Sequence, residues 1–256
     1  MADILHEIVA HKRRDINRLL RKRVSMAEAL RQSSSGIIAE FKRKSPSKGW
    51  IHADVEPEQV IPRYVEGGAA ALSILTNEEY FGGNPEYIPR VRNLVGSCPI
   101  LRKEFIVDPY QVYEAKILGA DAILLIAADL APQEYSQLLD LAHQLNLEVL
   151  LEVHDPVELE YLKAGVPDML GVNNRSLGTF HTDVQHSFDI AEAMQDAISS
   201  LGTQRPVLIS ESGISSPEVI KQLRIVGFRG FLIGECFMRE SDPGQALANF
   251  VQAINC

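Results

Sequence analysis

Short apolar runs rich in β-branched residues recur along the chain at strand length. They are Ile37–Phe41, Ala71–Leu75, Ile100–Arg102, Ala122–Ile126, Glu148–Val153, Met169–Val172, Val207–Ser210 and Gly230–Ile233. Runs of this kind predict buried strands. Between them apolar positions recur every three or four residues, as in Val60, Tyr64 and Val65; Val112, Ala115 and Leu118; Leu138, Leu141 and Leu145; and Val219, Leu223 and Val226. That spacing predicts helices. Gly67-Gly68-Ala69, Gly119-Ala120-Asp121 and Gly165-Val166-Pro167 stand between a helical stretch and a new strand. Glycine suits the left-handed position that ends a helix. Alternating strands and helices imply a parallel sheet. Eight such units in about 220 residues predict a closed (β/α)8 barrel. The alternative is an open doubly wound sheet, which often carries a Gly-rich dinucleotide turn, and no G-x-G-x-x-G occurs here.

Ahead of the first strand, Ile4, Leu5, Ile8, Val9, Ile16, Leu19 and Leu20 recur at helical spacing, with Asp3 placed to cap them. Lys12, Arg13, Arg14, Arg18 and Arg21 fall between, and read as a solvated face rather than a binding patch. Ser33-Ser34-Ser35-Gly36 breaks the pattern. The expected organisation is a helical extension over residues 1–36 and a barrel over 37–256, together one α/β unit of the TIM-barrel class.

Composition narrows the function. The chain has 256 residues, 46% hydrophobic and 23% charged, so a sizeable core is possible. Its formal charge of −9 argues against a general nucleic-acid binder, while a local cluster of cations can still take an anionic substrate. Cys98, Cys236 and Cys256 are few, odd in number and far apart, which suggests neither disulfides nor zinc and fits a reducing cytoplasm. Asp3, Glu7 and Asp15 argue against a transit peptide. No apolar run approaches the roughly 20 residues of a membrane span.

In such barrels the reactive groups stand where strands end. Glu40 and Lys42 close the first strand two residues apart and so face the same way. They are either a working pair at the barrel mouth or an ion pair that plugs it. The loop from Lys42 to Asp54 carries Lys42, Arg43, Lys44 and Lys48, the composition of a flap over an anion or of an ordinary solvated loop. Lys103 ends the third strand and is a candidate general acid, with Phe105 beside it to line an apolar pocket. Glu152 lies in the apolar fifth strand, where an unpaired carboxylate is costly. It is a candidate general base, or else one half of a structural ion pair. Gly213 and Gly234 follow the seventh and eighth strands and allow close approach to an anion, and Arg175 after the sixth is a phosphate fork. The seven histidines do not cluster at metal spacing, so no metal is expected. His154 reads as a loop or surface residue.

Residues Ile38-Ala39-Glu40-Phe41-Lys42-Arg43-Lys44-Ser45-Pro46-Ser47 resemble the first-strand signature of the indole-3-glycerol phosphate synthase family. The likeness continues in order through Leu75-Thr76, Tyr80-Phe81-Gly82-Gly83, Leu101-Arg102-Lys103-Glu104-Phe105, Leu151-Glu152-Val153, Gly171-Val172-Asn173-Asn174-Arg175, Ser210-Glu211-Ser212-Gly213-Ile214 and Phe231-Leu232-Ile233-Gly234. It implies a tryptophan-pathway lyase that closes the indole ring of 1-(2-carboxyphenylamino)-1-deoxyribulose 5-phosphate with loss of carbon dioxide and water, without a cofactor. By motif, Lys103 would be the general acid, Glu152 its partner for the dehydration, and Lys42 the contact to the substrate carboxylate. Glu40, Asn173 and Glu211 would orient these groups, with Ser212 beside them. Ser45, Arg175, Gly213, Gly234 and the Glu235 backbone would hold the phosphate. Phe81, Leu101, Phe105, Leu124, Leu177 and Ile233 would pack the aromatic ring. Two positions depart from the family pattern, Glu104 and Ser176, where aspartate is common; both bear on loop anchoring. The resemblance further implies a monomer acting on a small phosphorylated molecule, with no nucleic-acid or membrane partner and at most weak association with other enzymes of the pathway.

Other readings are a related phosphate-binding isomerase, whose Cys/Asp pair is not evident, a Schiff-base aldolase using Lys42 or Lys103, and a non-catalytic barrel scaffold.

Overall fold

Eight parallel strands close on themselves. They are β1 (Ile37–Phe41), β2 (Ala71–Leu75), β3 (Ile100–Lys103), β4 (Ala122–Ile126), β5 (Glu148–Val153), β6 (Met169–Asn173), β7 (Val207–Glu211) and β8 (Gly230–Ile233). Each pairs with its neighbours in chain order, and β8 returns to β1 with Ile37 opposite Phe231. The chain is a TIM barrel. The computed structural model describes residues 4–20, 24–176, 178, 181–203 and 205–255. Asp3, Arg21, Leu177 and Cys256 lie outside these residues, as do the side chains of Leu5, Arg18, Leu19 and Leu20.

Three strands run one residue beyond their apolar patterns, to Lys103, Asn173 and Glu211. The polar side chain ends the pattern, but the backbone stays in register: Leu75 lies opposite Lys103, and Asn173 opposite Glu211. These extra residues carry functional groups to the barrel mouth.

Side chains alternate along each strand. Ile37, Ala39 and Phe41 point outward into the layer shared with the helices, where Val60, Ile61 and Tyr64 of helix Pro57–Glu66 are buried. Ile38, Ala71, Leu101, Ala122, Leu150 and Met169 point inward and fill the barrel. The helix Met26–Gln32 joins that inner cluster through Met26, Ala27 and Leu30. Burying a Met or Leu side chain is worth roughly 1.5–3 kcal/mol, so this helix contributes to the core. Glu148, at the start of β5, fixes it: its carboxylate accepts from Ser25 Oγ at 2.6 Å and from the Met26 and Ala27 amides at 2.6 and 3.0 Å. These amides are among the orphan donors of a helix start.

The preceding helix Ile4–Leu20 forms as its spacing predicts, with Lys12, Arg13 and Arg14 exposed. Ile4, Ile8, Val9 and Ile16 are exposed as well. Gly68 and Gly119 take left-handed backbone, with φ of 97° and 98°. Gly165 has no positive φ, and corrects the capping expectation. A Cβ there would lie 2.4 Å from Leu139 Cδ2, so close packing rather than backbone conformation requires the glycine. The segment before it, Pro156–Lys163, is a 3-10 helix. Among the described residues no helix is long and apolar enough to cross a membrane.

Candidate active site

A cavity of about 530 Å³ opens at the carboxyl ends of the strands. Glu40, Lys42, Lys103, Glu152, Asn173, Glu211 and Ser212 line it, from β1, β3, β5, β6 and β7 and the residues just after them. Lys103 Nζ lies 3.0 Å from Glu152 Oε2 and 3.5 Å from Glu211 Oε2. Asn173 Nδ2 donates to Glu152 Oε1 at 3.0 Å. Lys42 Nζ pairs with Glu40 Oε1 at 2.6 Å. Both members of that pair face the cavity.

Burial and charge oppose each other here. Burial alone would lower the Lys103 ammonium, but Glu152, Glu211 and Glu40 outweigh it and hold the pKa above its ordinary value. Burial would raise Glu152; Lys103, His154 and the Asn173 amide reverse this and hold it below the usual carboxylate value. Glu211 goes the other way. Its burial, reinforced by Glu152 and Glu40, wins over Lys103 and pushes its pKa well up. Neither of its carboxyl oxygens makes a hydrogen bond. Around the Lys103 ammonium the two carboxyl groups are therefore driven apart, Glu152 toward the ionised form and Glu211 toward the protonated one.

Two glycines make room for these acids. A Cβ on Gly171 would lie 2.3 Å from Glu211 Oε1, and one on Gly234 would lie 2.6 Å from Glu40 Oε1.

Along one wall the cavity is apolar. Phe81 and Phe105 stand with ring centroids 6.3 Å apart, joined by Leu124 and Ile233. Leu101 does not line the cavity. It is fully buried in the inner cluster with Ala71, Ala122, Leu124 and Leu150, because the side chain two residues before Lys103 points into the barrel below the mouth. Leu177 lies outside the described residues.

Opposite that wall the groups suit an anion. Ser45, Arg175, Gly213, Gly234 and Glu235 all border the cavity. Ser45 Oγ is buried with no hydrogen-bond partner. Ser212 and Gly213 adopt left-handed backbone, with φ of 68° and 77°. For Ser212 this is unusual, and Asn174 secures the turn by donating to the Ser212 carbonyl at 3.0 Å and to Ser210 Oγ at 3.1 Å.

The basic segment after β1 is a short antiparallel ribbon of Lys44–Ser45 with Gly49–Trp50, rather than an irregular loop. Arg175 Nη1 donates to Ser47 Oγ at 3.0 Å, Lys48 pairs with Glu235, and Lys44 Nζ donates to the Glu79 carbonyl at 2.8 Å. The ribbon is thus tied to β6, β8 and β2 loops across the mouth. Ser47 and Lys48 line the cavity too; the sequence marked Lys48 as a cation of the loop after β1 and Ser47 as the end of the family signature, but singled out neither as a site residue.

Both departures from the family pattern are anchored. Glu104 Oε2 accepts from Thr76 Oγ1 at 2.5 Å and Oε1 from the Phe105 amide at 3.0 Å. The Ser176 amide donates to the His181 carbonyl at 2.9 Å. His154 lies in the loop after β5, as expected, but not at the surface: its side chain is 12% exposed and lies against Glu152, because it continues the alternation of Leu150 and Glu152 past the end of the strand.

Fold and site together define a (β/α)8 barrel whose mouth gathers acid–base groups beside an apolar wall, with groups suited to an anion opposite. A family model described as indole-3-glycerol phosphate synthase matches residues 3–250. An indole-3-glycerol phosphate synthase from Bacteroides thetaiotaomicron is 52% identical, over 99% of this chain and all of that protein. One from Polaromonas sp. is 40% identical over 97% of this chain and 98% of its own length. Among solved structures, 3-hexulose-6-phosphate synthase from Salmonella typhimurium shares the fold, with a TM-score of 0.59, 16% identity and coverage of 86% of this chain and 98% of that one. The chain belongs to the indole-3-glycerol phosphate synthase family, carboxy-lyases of tryptophan biosynthesis.

Proposed function

We propose that the cavity closes the indole ring of 1-(2-carboxyphenylamino)-1-deoxyribulose 5-phosphate, with Lys103 as general acid and Glu152 as its acid–base partner. The observation that carries this is the placement of Lys103 Nζ between Glu152 and Glu211 at the base of the cavity. Ring closure joins the ring carbon that bears the carboxylate to the ketose carbonyl carbon. The carbonyl oxygen gains charge and takes a proton from Lys103. Loss of carbon dioxide leaves its bonding electrons in the ring system. Dehydration then removes the new hydroxyl as water: Lys103 supplies the proton to the departing oxygen, and Glu152 accepts the proton released from the ring. Glu211, whose pKa burial pushes up, lies 3.5 Å from Lys103 and stands where it can return a proton to the amine.

The other residues position the substrate. Lys42 meets the carboxylate before it is lost, and Glu40 fixes the Lys42 ammonium. Asn173 holds Glu152, and Ser212 borders the sugar. Ser45, Arg175, Gly213, Gly234 and the Glu235 backbone receive the phosphate, and Phe81, Phe105, Leu124 and Ile233 receive the aromatic ring. An apolar wall with a few convergent polar groups is what an aromatic anion requires. The acidic chain acts as a monomer in the cytoplasm, on a small molecule, without a nucleic-acid or membrane partner.

The test is a fluorescence assay of the purified protein with this carboxyanilino sugar phosphate. Indole product is expected; folded protein that yields none would refute the assignment. Borohydride added with substrate separates the aldolase alternative, which alone would leave a reduced covalent adduct on Lys42 or Lys103.

A further inference from the structure

Against Glu152, among residues that do not line the cavity, lies a second set of titratable groups. His154 Nε2 is 3.4 Å from Glu152 Oε1, and His154 Nδ1 is 4.0 Å from Glu158 Oε2. Both ring nitrogens are buried and make no hydrogen bond. The backbone of His154 is held on both sides. Its amide donates to Glu158 Oε2 at 2.6 Å, and its carbonyl faces His186 Nε2 at 2.9 Å. A carbonyl only accepts, so His186 Nε2 carries the proton there. The ring is thus fixed beside Glu152 by contacts that do not use its own nitrogens.

Glu152 has room for another donor. A carboxylate offers about four lone-pair sites. In the structure Lys103 takes one on Oε2 and Asn173 one on Oε1. When Lys103 turns its proton toward a substrate oxygen, Glu152 loses its nearest cation. The remaining donor is a neutral amide, and a buried carboxylate without a charged partner is costly. A closure of a few tenths of an ångström would bring His154 Nε2 into hydrogen-bond range.

We propose, on the reading that Glu152 is the acid–base partner of Lys103, that His154 is a positioning residue which donates its Nε2–H to Glu152 Oε1 and keeps Glu152 ionised while Lys103 serves the substrate. His154 does not touch substrate; it acts through Glu152. The groups that face it are Glu152 of its own strand, Glu158 of the following 3-10 helix, Asp129 of the segment after β4 and His186 of helix Gln185–Ser199. Lys103 and Asn173 reach the same carboxylate from β3 and β6. Burial and the Glu152 charge raise Asp129.

The test is the pH profile of turnover in His154→Leu and His154→Gln, with Glu152→Gln measured alongside and melting followed for each. A hydrogen bond to the charged form holds a carboxyl down, and removing the donor raises it, typically by about one unit. The acid limb of kcat in His154→Leu is therefore expected about one pH unit higher than in the parent, with KM within about twofold. His154→Gln keeps a donor, and should recover most of kcat and bring the acid limb back toward that of the parent. A His154→Leu profile superimposable on the parent, in a protein that melts normally, overturns the role given to His154. If Glu152→Gln is inactive at the same time, the reading of Glu152 survives that result. Parental turnover in Glu152→Gln would overturn both. Should His154→Leu fail to fold, His154→Phe takes its place, and a parental acid limb in that folded variant overturns the role.

Discussion

Glu152 and Glu211 face one ammonium, that of Lys103, and their proton affinities are driven in opposite directions. The difference lies in their other neighbours. Glu152 has His154 and the Asn173 amide beside it, whereas the Glu211 carboxyl has no hydrogen-bond partner and two nearby carboxylates. Paired groups separated in this way divide acid and base duties within one site.

The same asymmetry predicts a stability signature. Glu211 has a folded-state value above its ordinary 4.5, so its contribution is complete below that pH and is lost as pH rises through the folded value. Glu152, held below 4.5, contributes above that pH and loses its contribution as pH falls through its folded value. Glu211→Gln mimics the protonated acid and removes the first slope. Its Tm, relative to the parent, should rise steadily as pH is taken from about 5 to 9. A Tm difference that does not vary with pH would show that Glu211 is ionised in the folded protein.

Gly171 should matter more to turnover than to folding. An alanine Cβ there meets Glu211 Oε1 at 2.3 Å and Leu150 Cδ1 at 3.0 Å, and Glu211 is 1% exposed with nowhere to retreat. Overpacking of this kind costs roughly 1–3 kcal/mol. Gly171→Ala is expected to melt a few degrees early yet lose at least about tenfold in kcat, since Glu211 is forced from behind Lys103. Turnover at the parental level, measured by steady-state kinetics, would mean that the position of Glu211 is immaterial.

At the anion side, Arg175 already donates to Ser47 and borders the cavity with Gly213 and Gly234. Inorganic phosphate should compete with substrate in the parent. Arg175→Ala should raise KM by about ten- to a hundredfold, as loss of a charged hydrogen bond worth roughly 1.5–3 kcal/mol requires. The competition should weaken in the variant by a similar factor. No competition in the parent, together with an unchanged KM in the variant, would relocate the phosphate.

The barrel was legible because its evidence is local. Apolar runs and helical spacing marked all eight strands, and the polar residues that end β3, β6 and β7 hid only their last backbone pair. The residues now found at the mouth stand out singly as charges at strand ends, and the family motif groups them. Leu101 shows the limit of motif transfer. It sits in the right segment, but strand alternation turns it into the barrel beneath the cavity. His154 shows a different limit. It is a loop residue, as read, yet the same alternation carried one step past the strand draws its side chain against Glu152 rather than to the surface. Ser47 and Lys48 depend on contacts with Arg175 and Glu235, more than a hundred residues away, and no local pattern encodes such pairing.

Everything proposed for the chemistry passes through Lys103. The most direct measurement is indole formation by Lys103→Ala under the conditions that give turnover in the parent, with circular dichroism to confirm the barrel. Turnover should fall by about a hundredfold to ten-thousandfold in a folded protein, the range for loss of a general acid. Near-parental turnover in that folded variant would contradict the role of Lys103 as acid.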